Sequence, residues 1–184
     1  MIPVSRLMTS VRYAVKDMQG VTFSDHEIIE ALNAAARLLF ERMGERFVWP
    51  ALKRTVLVVD HGRGALPLDF HNIRKLSMDG GELRPVTGRP AEGQYRIAGD
   101  ELYGPDGGYG LEYWYIPAPV ADHDDALDAP LALSPWIERM TVGIVTGDPT
   151  KADDVAMACC RDLAGGELSR FSDMGPVQVW GGKA

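Results

Sequence analysis

The chain has 184 residues and carries 19 Lys and Arg against 26 Asp and Glu, so its formal net charge is −7. This length suits one domain with one core, and a hydrophobic fraction of 46% excludes extensive disorder. The shortage of basic residues argues against a protein that wraps nucleic acid, because phosphate binding depends on clustered Lys and Arg. No stretch reaches the roughly 18 apolar residues that a membrane span needs. We therefore expect no membrane association.

Residues 1–48 show the periodicity of two helices. In the first, apolar residues follow one another at spacings of three and four, and Gly20 is expected to end it: Val4, Leu7, Met8, Val11, Val15 and Met18. Ser24 and Glu27 form a capping box, in which the serine oxygen accepts from the amide of residue 27 and the glutamate accepts from the amide of residue 24. This pattern predicts a second helix over about residues 25–43.

Residues 49–118 are rich in Gly, Pro and β-branched or aromatic residues, which is typical of short strands and turns. Strands are expected near residues 52–60, 73–78, 83–86, 94–98, 101–103 and 111–116. Turns are expected at residues 79–81 and 99–100, and the glycine-rich stretch 104–110 is interpreted as a β-turn.

Residues 119–133 contain an acidic stretch, and they are interpreted as a solvated loop. Helices resume over residues 134–172, where Ser134 is expected to cap a helix with Pro135 at its first position. A C-terminal arm, residues 173–184, has turn formers at both ends. The expected fold class is α+β, with a helical bundle formed from both ends of the chain and an antiparallel β insertion in the middle.

The acidic loop offers the sharpest chemical hypothesis, because Asp122, His123, Asp124, Asp125 and Asp128 are all possible metal ligands. Read as an EF-hand beginning at Asp122, however, the loop has Leu127 where glycine is needed and Leu133 where glutamate is needed. The chain also lacks the Gly-x-Ser-x-Gly motif of serine hydrolases. We therefore expect no catalytic residue, no cofactor and no bound metal.

The aromatic run Tyr113, Trp114 and Tyr115 lies in a predicted strand, so its side chains alternate between the two faces. Such side chains could stack on bases, but the acidic net charge favours a contact within the core or with another subunit. In the arm, Val177 and Val179 alternate as in a strand, and Trp180 is a residue type that commonly dominates binding interfaces.

Four stretches in this order resemble the head-to-tail adaptor proteins of tailed bacteriophages, the family that includes adaptors of the tail tubular protein A type. They are the helix around Glu30 to Arg37 with Trp49 after it, the Leu66-Pro67-Leu68-Asp69-Phe70 entry to a strand, the hairpin from Tyr95 to Pro105, and the closing strand from Leu111 to Pro119.

The resemblance implies a non-enzymatic virion protein, assembled in the host cytoplasm. It implies a closed ring of copies, usually a dodecamer, that binds the portal protein above and a tail or nozzle protein below while DNA passes through without specific binding. It also implies that the arm with Val177, Val179 and Trp180 binds the portal. Two alternatives stay open from the residues: a metal-dependent hydrolase using Asp122 to Asp128, and a generic oligomeric binding module.

Overall fold

The helices occur in two pairs, one near each end of the chain. The computed structural model describes residues 1–46, 48 and 51–170, without the side chains of residues 165–170. Within these residues, the helices are α1 (Val4–Ala14), α2 (Asp25–Glu45), α3 (Ser134–Val145) and α4 (Pro149–Arg170). The capping box at α2 is confirmed, because the Ser24 hydroxyl accepts from the Glu27 amide and the Glu27 carboxylate accepts from the Ser24 amide.

Strands fill most of the region between the two helix pairs. They are β1 (Ile2–Pro3), β2 (Leu52–Val59), β3 (Arg63–Ala65), β4 (Phe70–Met78), β5 (Gly81–Glu82), β6 (Arg84–Pro85), β7 (Gln94–Ala98), β8 (Glu101–Tyr103), β9 (Gly107–Tyr115) and β10 (Ala126–Leu127). The predicted turn at residues 99–100 is confirmed, and the one predicted at residues 79–81 spans Asp79 and Gly80, because Gly81 already belongs to β5. Asp79, Gly80 and Gly99 all have positive φ.

The strands form three sheets. The largest has the order β2-β9-β4-β5, with β9 antiparallel to both β2 and β4. The second has the order β3-β8-β7-β6, and its β6–β7 pair is parallel. Gly64 in β3 lies so close to β2 that an added Cβ would approach the Val58 carbonyl oxygen to 2.8 Å. This contact fixes the second sheet beside the end of β2 that carries Val59.

The predicted helical bundle with a central antiparallel insertion is wrong. The helices form no separate bundle, because buried side chains of helices and strands share one continuous core, in which the Phe40 and Tyr115 rings are 4.9 Å apart. The described residues form an α+β fold with three sheets, and β1 pairs with β10 outside the expected insertion. The apolar pattern indicates many of the buried residues, although Met18, which it placed on the apolar face of the first helix, is 58% exposed. The pattern does not indicate what the buried residues pack against.

Two helix boundaries also differ from the expectation. Helix α1 ends at Ala14, since Lys16 has a positive φ and the Asp17 carboxylate accepts hydrogen bonds from the amides of Val21, Thr22 and Phe23. These bonds hold a turn where the apolar spacing predicted further helix. Ser134 is the first residue of α3 and makes no side-chain cap, because a 3-10 turn over Leu131–Leu133 leads directly into the helix.

Two segments expected to lack strands contain them. The glycine-rich stretch is not only a turn: β9 begins at Gly107, where it pairs with Val59. The acidic segment is not only a loop, because β10 lies inside it and Leu127 pairs with Ile2. In both cases a partner strand that is distant in the chain supplies the hydrogen bonds.

The aromatic strand, the acidic loop and an arginine pocket

The aromatic strand is buried within one chain. Tyr113, Trp114 and Tyr115 are 4%, 2% and 4% exposed, respectively. Tyr113 stacks on Phe70 with ring centroids 5.8 Å apart, and Tyr115 packs edge-on against Phe40. The core of the chain itself therefore covers these three side chains, and none of them presents a ring for stacking on a base.

A charged network surrounds this strand. The Lys53 ammonium is 2.6 Å from Asp69 Oδ2 and 2.5 Å from Asp128 Oδ2, and it lies 4.0 Å from the centroid of the Tyr115 ring. The Tyr113 hydroxyl donates to Asp69 Oδ1 at 2.9 Å, and the Tyr115 hydroxyl donates to the Asp128 carbonyl oxygen at 3.1 Å. The network thus ties β2, the loop before β4, β9 and the segment after β10 to one another.

The ionisation of these groups follows from their surroundings. Partial burial by itself would lower the pKa of Lys53, but the hydrogen bonds to Asp128 and Asp69 outweigh it and the pKa is raised. Burial, together with the carboxylates of Asp69 and Asp128, raises the pKa of both Tyr113 and Tyr115 well above the ordinary tyrosine value. At neutral pH the Lys53 ammonium therefore stays charged and both tyrosine hydroxyls stay neutral.

The acidic residues of the loop divide into separate groups. His123 contacts Asp122 and Asp124, and the possible ligand atoms of these three exposed residues lie within 4.8 Å of one another. Asp125 instead accepts from the amides of Ala121 and Asp122, and Asp128 faces Lys53. The hydrolase hypothesis needs all five residues together, and the structure does not bring them together. The three that do lie close, Asp122, His123 and Asp124, are exposed to solvent.

The cysteines are also placed unfavourably for catalysis. Cys159 and Cys160 are 0% and 1% exposed in α4. Burial raises the pKa of the Cys159 thiol to about 12, and burial likewise raises the pKa of Cys160. Because the thiolate is the reactive form of cysteine, burial and a raised pKa both disfavour a nucleophilic role for these side chains.

A pocket that the sequence analysis did not predict lies beside β3, β7 and β8 of the second sheet. It has a volume of about 550 Å³, and three arginines from different segments line it: Arg63, Arg89 and Arg96. Arg63 and Arg96 both pair in register with Tyr103, so the three side chains form one row across β3, β8 and β7. The guanidinium carbons lie 5.6 and 4.5 Å from the centroid of the Tyr103 ring. We call this cavity the arginine pocket.

The proposed portal-binding residues Val177, Val179 and Trp180 lie outside the described residues, as do the arm and Trp49. Among the helices that the structure describes, none is long and apolar enough to cross a membrane. The chain matches no protein-family model, and a search of the curated proteins found no match either.

Proposed function

We propose that this chain is a structural protein of a bacteriophage virion, a ring-forming adaptor that joins the portal of the head to the tail. It is not an enzyme and needs no cofactor. In this proposal the ring binds the portal protein on one side and a tail or nozzle protein on the other, and it surrounds the passage through which DNA moves.

The observation that supports this proposal is the contact among the stretches that resemble the adaptor family. Asp69 of the Leu-Pro-Leu-Asp-Phe stretch accepts a hydrogen bond from Tyr113 of the closing strand, and α2 packs on the same strand through Phe40 and Tyr115. The hairpin of β7 and β8 pairs with β3, directly before the Leu-Pro-Leu-Asp-Phe stretch. The resemblance thus covers one connected unit rather than four scattered segments.

The charge of the chain supports the same role. A subunit around a DNA passage must let the phosphate backbone slide, and a net charge of −7 repels phosphate rather than binding it. The buried aromatic strand and the buried, protonated cysteines leave little surface chemistry for base stacking or nucleophilic catalysis.

The test is attachment to tailless heads that carry the portal. We expect the purified full chain to co-sediment with such heads and not with heads that lack the portal. A hydrolase or a binding module unrelated to phages would show no difference between the two. Equal recovery with both kinds of head would contradict the proposal.

The C-terminal arm gives a sharper version of this experiment. Deleting residues 175–184 is expected to leave a folded protein that no longer attaches, and Trp180→Ala is expected to cause much of the same loss, because tryptophan often dominates an interface. Val177→Ala is a milder comparison in the same segment. Attachment of the truncated chain at wild-type occupancy would show that the arm is not the anchor.

A further inference from the structure

The arginine pocket has the features of an anion site. No carboxylate among the described residues forms an ion pair with Arg63, Arg89 or Arg96. By contrast, five other arginines of the described chain do pair with carboxylates: Arg12, Arg37, Arg42, Arg54 and Arg74. In addition, the Nε atom of Arg96 is buried and has no hydrogen-bond partner there. Three like charges around one cavity favour the binding of an anion.

The carboxylates that line the pocket do not pair with its arginines. Glu92 and Asp106 are part of its wall, but neither is within 4 Å of a guanidinium nitrogen. Asp106 instead accepts the amide hydrogen of Gly62 at 2.7 Å. The Glu101 carboxylate, which lies nearby, accepts the hydrogen bond of the Tyr103 hydroxyl. Among the described residues, no carboxylate therefore completes the pocket.

The acidic loop presents suitable carboxylates in a fixed position. The side chains of Asp122 and Asp124 are 67% and 86% exposed. The loop is held on both sides, since Asn33 exchanges two hydrogen bonds with the backbone of Val120 and the Val4 amide donates to the Asp125 carbonyl oxygen. A preorganised loop of this kind loses little conformational entropy on binding.

The loop and the pocket of one chain lie beyond opposite ends of β9. The pocket lies immediately before Gly107, where β9 begins, and the loop follows Tyr115, where β9 ends. At about 3.3 Å per residue, the nine residues of β9 span about 26 Å from Gly107 to Tyr115. The positive and negative surfaces therefore lie beyond opposite ends of β9, where a second copy can bring them together.

We propose that Asp122 and Asp124 of one copy dock into the arginine pocket of the next copy. Such a contact joins two different surfaces, so it repeats from copy to copy and closes into a ring when the rotation allows. The inference rests on the proposed function, because it names the contact through which the adaptor ring assembles. Both partners are charged, and bidentate arginine–carboxylate bonds give the contact its direction.

Two complementary variants test the contact directly. The pocket variant carries Arg63→Gln, Arg89→Gln and Arg96→Gln, and the loop variant carries Asp122→Asn and Asp124→Asn but keeps Asp125, which holds the loop. Each variant alone has lost one half of the contact and is expected to stay monomeric. Mixed together, the intact loop of one and the intact pocket of the other are expected to form a 1:1 heterodimer in sedimentation velocity.

The controls exclude general effects of charge and folding. Circular dichroism checks that each variant is folded, and Arg89→Gln alone repeats the test without altering a strand residue. Arg37→Gln and Asp79→Asn remove the same kinds of charge at other exposed positions, and their self-association should match that of the wild type. The heterodimer should weaken at least about tenfold when salt rises from about 50 to about 500 mM, because exposed charge pairs are screened.

Two results would overturn the inference. One is the absence of a heterodimer at about 100 µM of each variant, a concentration sufficient to reveal micromolar affinity. The other is a loop variant that self-associates as the wild type does. Attachment to portal-bearing heads is measured separately. A heterodimer without attachment to heads would support this contact and contradict the adaptor role. Attachment to heads without a heterodimer would support the adaptor role and contradict this contact.

Discussion

Replacing Lys53 by methionine tests whether the charged network stabilises the fold. Breaking a buried ion pair at one side costs about 3–5 kcal/mol, whereas an exposed pair contributes about 0.2–1 kcal/mol. The side chains of Lys53, Asp69 and Asp128 are 31%, 21% and 44% exposed, so the expected cost lies between these limits. We expect Lys53→Met to lower the free energy of unfolding by about 2 kcal/mol, because it leaves two carboxylates facing each other without a cation.

The assay is urea unfolding followed by far-ultraviolet circular dichroism. With a urea dependence of about 2 kcal/mol per molar, the midpoint should fall by about 1 M. Lys75→Met is the matched control on the same sheet, since the Lys75 ammonium is 3.9 Å from Glu82 and the two side chains are 47% and 66% exposed. Its midpoint should fall by less than about 0.5 M.

A double-mutant cycle separates the ion pair from other effects of the lysine. Asp69→Asn alone should also destabilise the fold, and the double variant Lys53→Met with Asp69→Asn should cost less than the two single changes together, by about 1 kcal/mol. Equal midpoints for Lys53→Met and Lys75→Met, or strictly additive costs in the cycle, would refute the reasoning.

Three further outcomes are expected. Tyrosines of the unfolded chain ionise near pH 10, about the ordinary value, whereas Tyr113 and Tyr115 stay neutral in the fold. The free energy of unfolding should therefore fall above about pH 10. The urea midpoint of Tyr113→Phe should fall less steeply with rising pH than that of the wild type. Hydrogen bonds from the amide of Phe23 and its neighbours lower the pKa of Asp17. The stabilisation that the Asp17 carboxylate provides is therefore present above the unfolded pKa of about 3.9 and is lost as pH falls through the lower folded value. Asp17→Asn should lower Tm at pH near 7 and reduce the dependence of Tm on acid. Trp114→Ala should cost about 3–5 kcal/mol in urea unfolding, as expected for a large core side chain, and a cost below about 1 kcal/mol would contradict its core role.

Features set by near neighbours in the chain could be predicted from the sequence. The start of α2 depends on Ser24 and Glu27, which lie three residues apart, and the turn at residues 79–80 depends on two residues that tolerate positive φ. The strands β7 and β8 were predicted with the bounds that the structure has, because the turn between them fixes their pairing. In each case, the hydrogen-bond partners are close enough to be read as one pattern.

The tertiary structure alone decided which distant residues meet. The end of α1 depends on three amide donors that converge on Asp17, and β10 exists only because Ile2 supplies a partner for Leu127. The arginine pocket needs β3 and β7 on either side of β8, so that Arg63 and Arg96 flank Tyr103. Such contacts depend on strand register, which packing and burial across the whole fold determine, and a one-residue shift would turn these side chains to the other face.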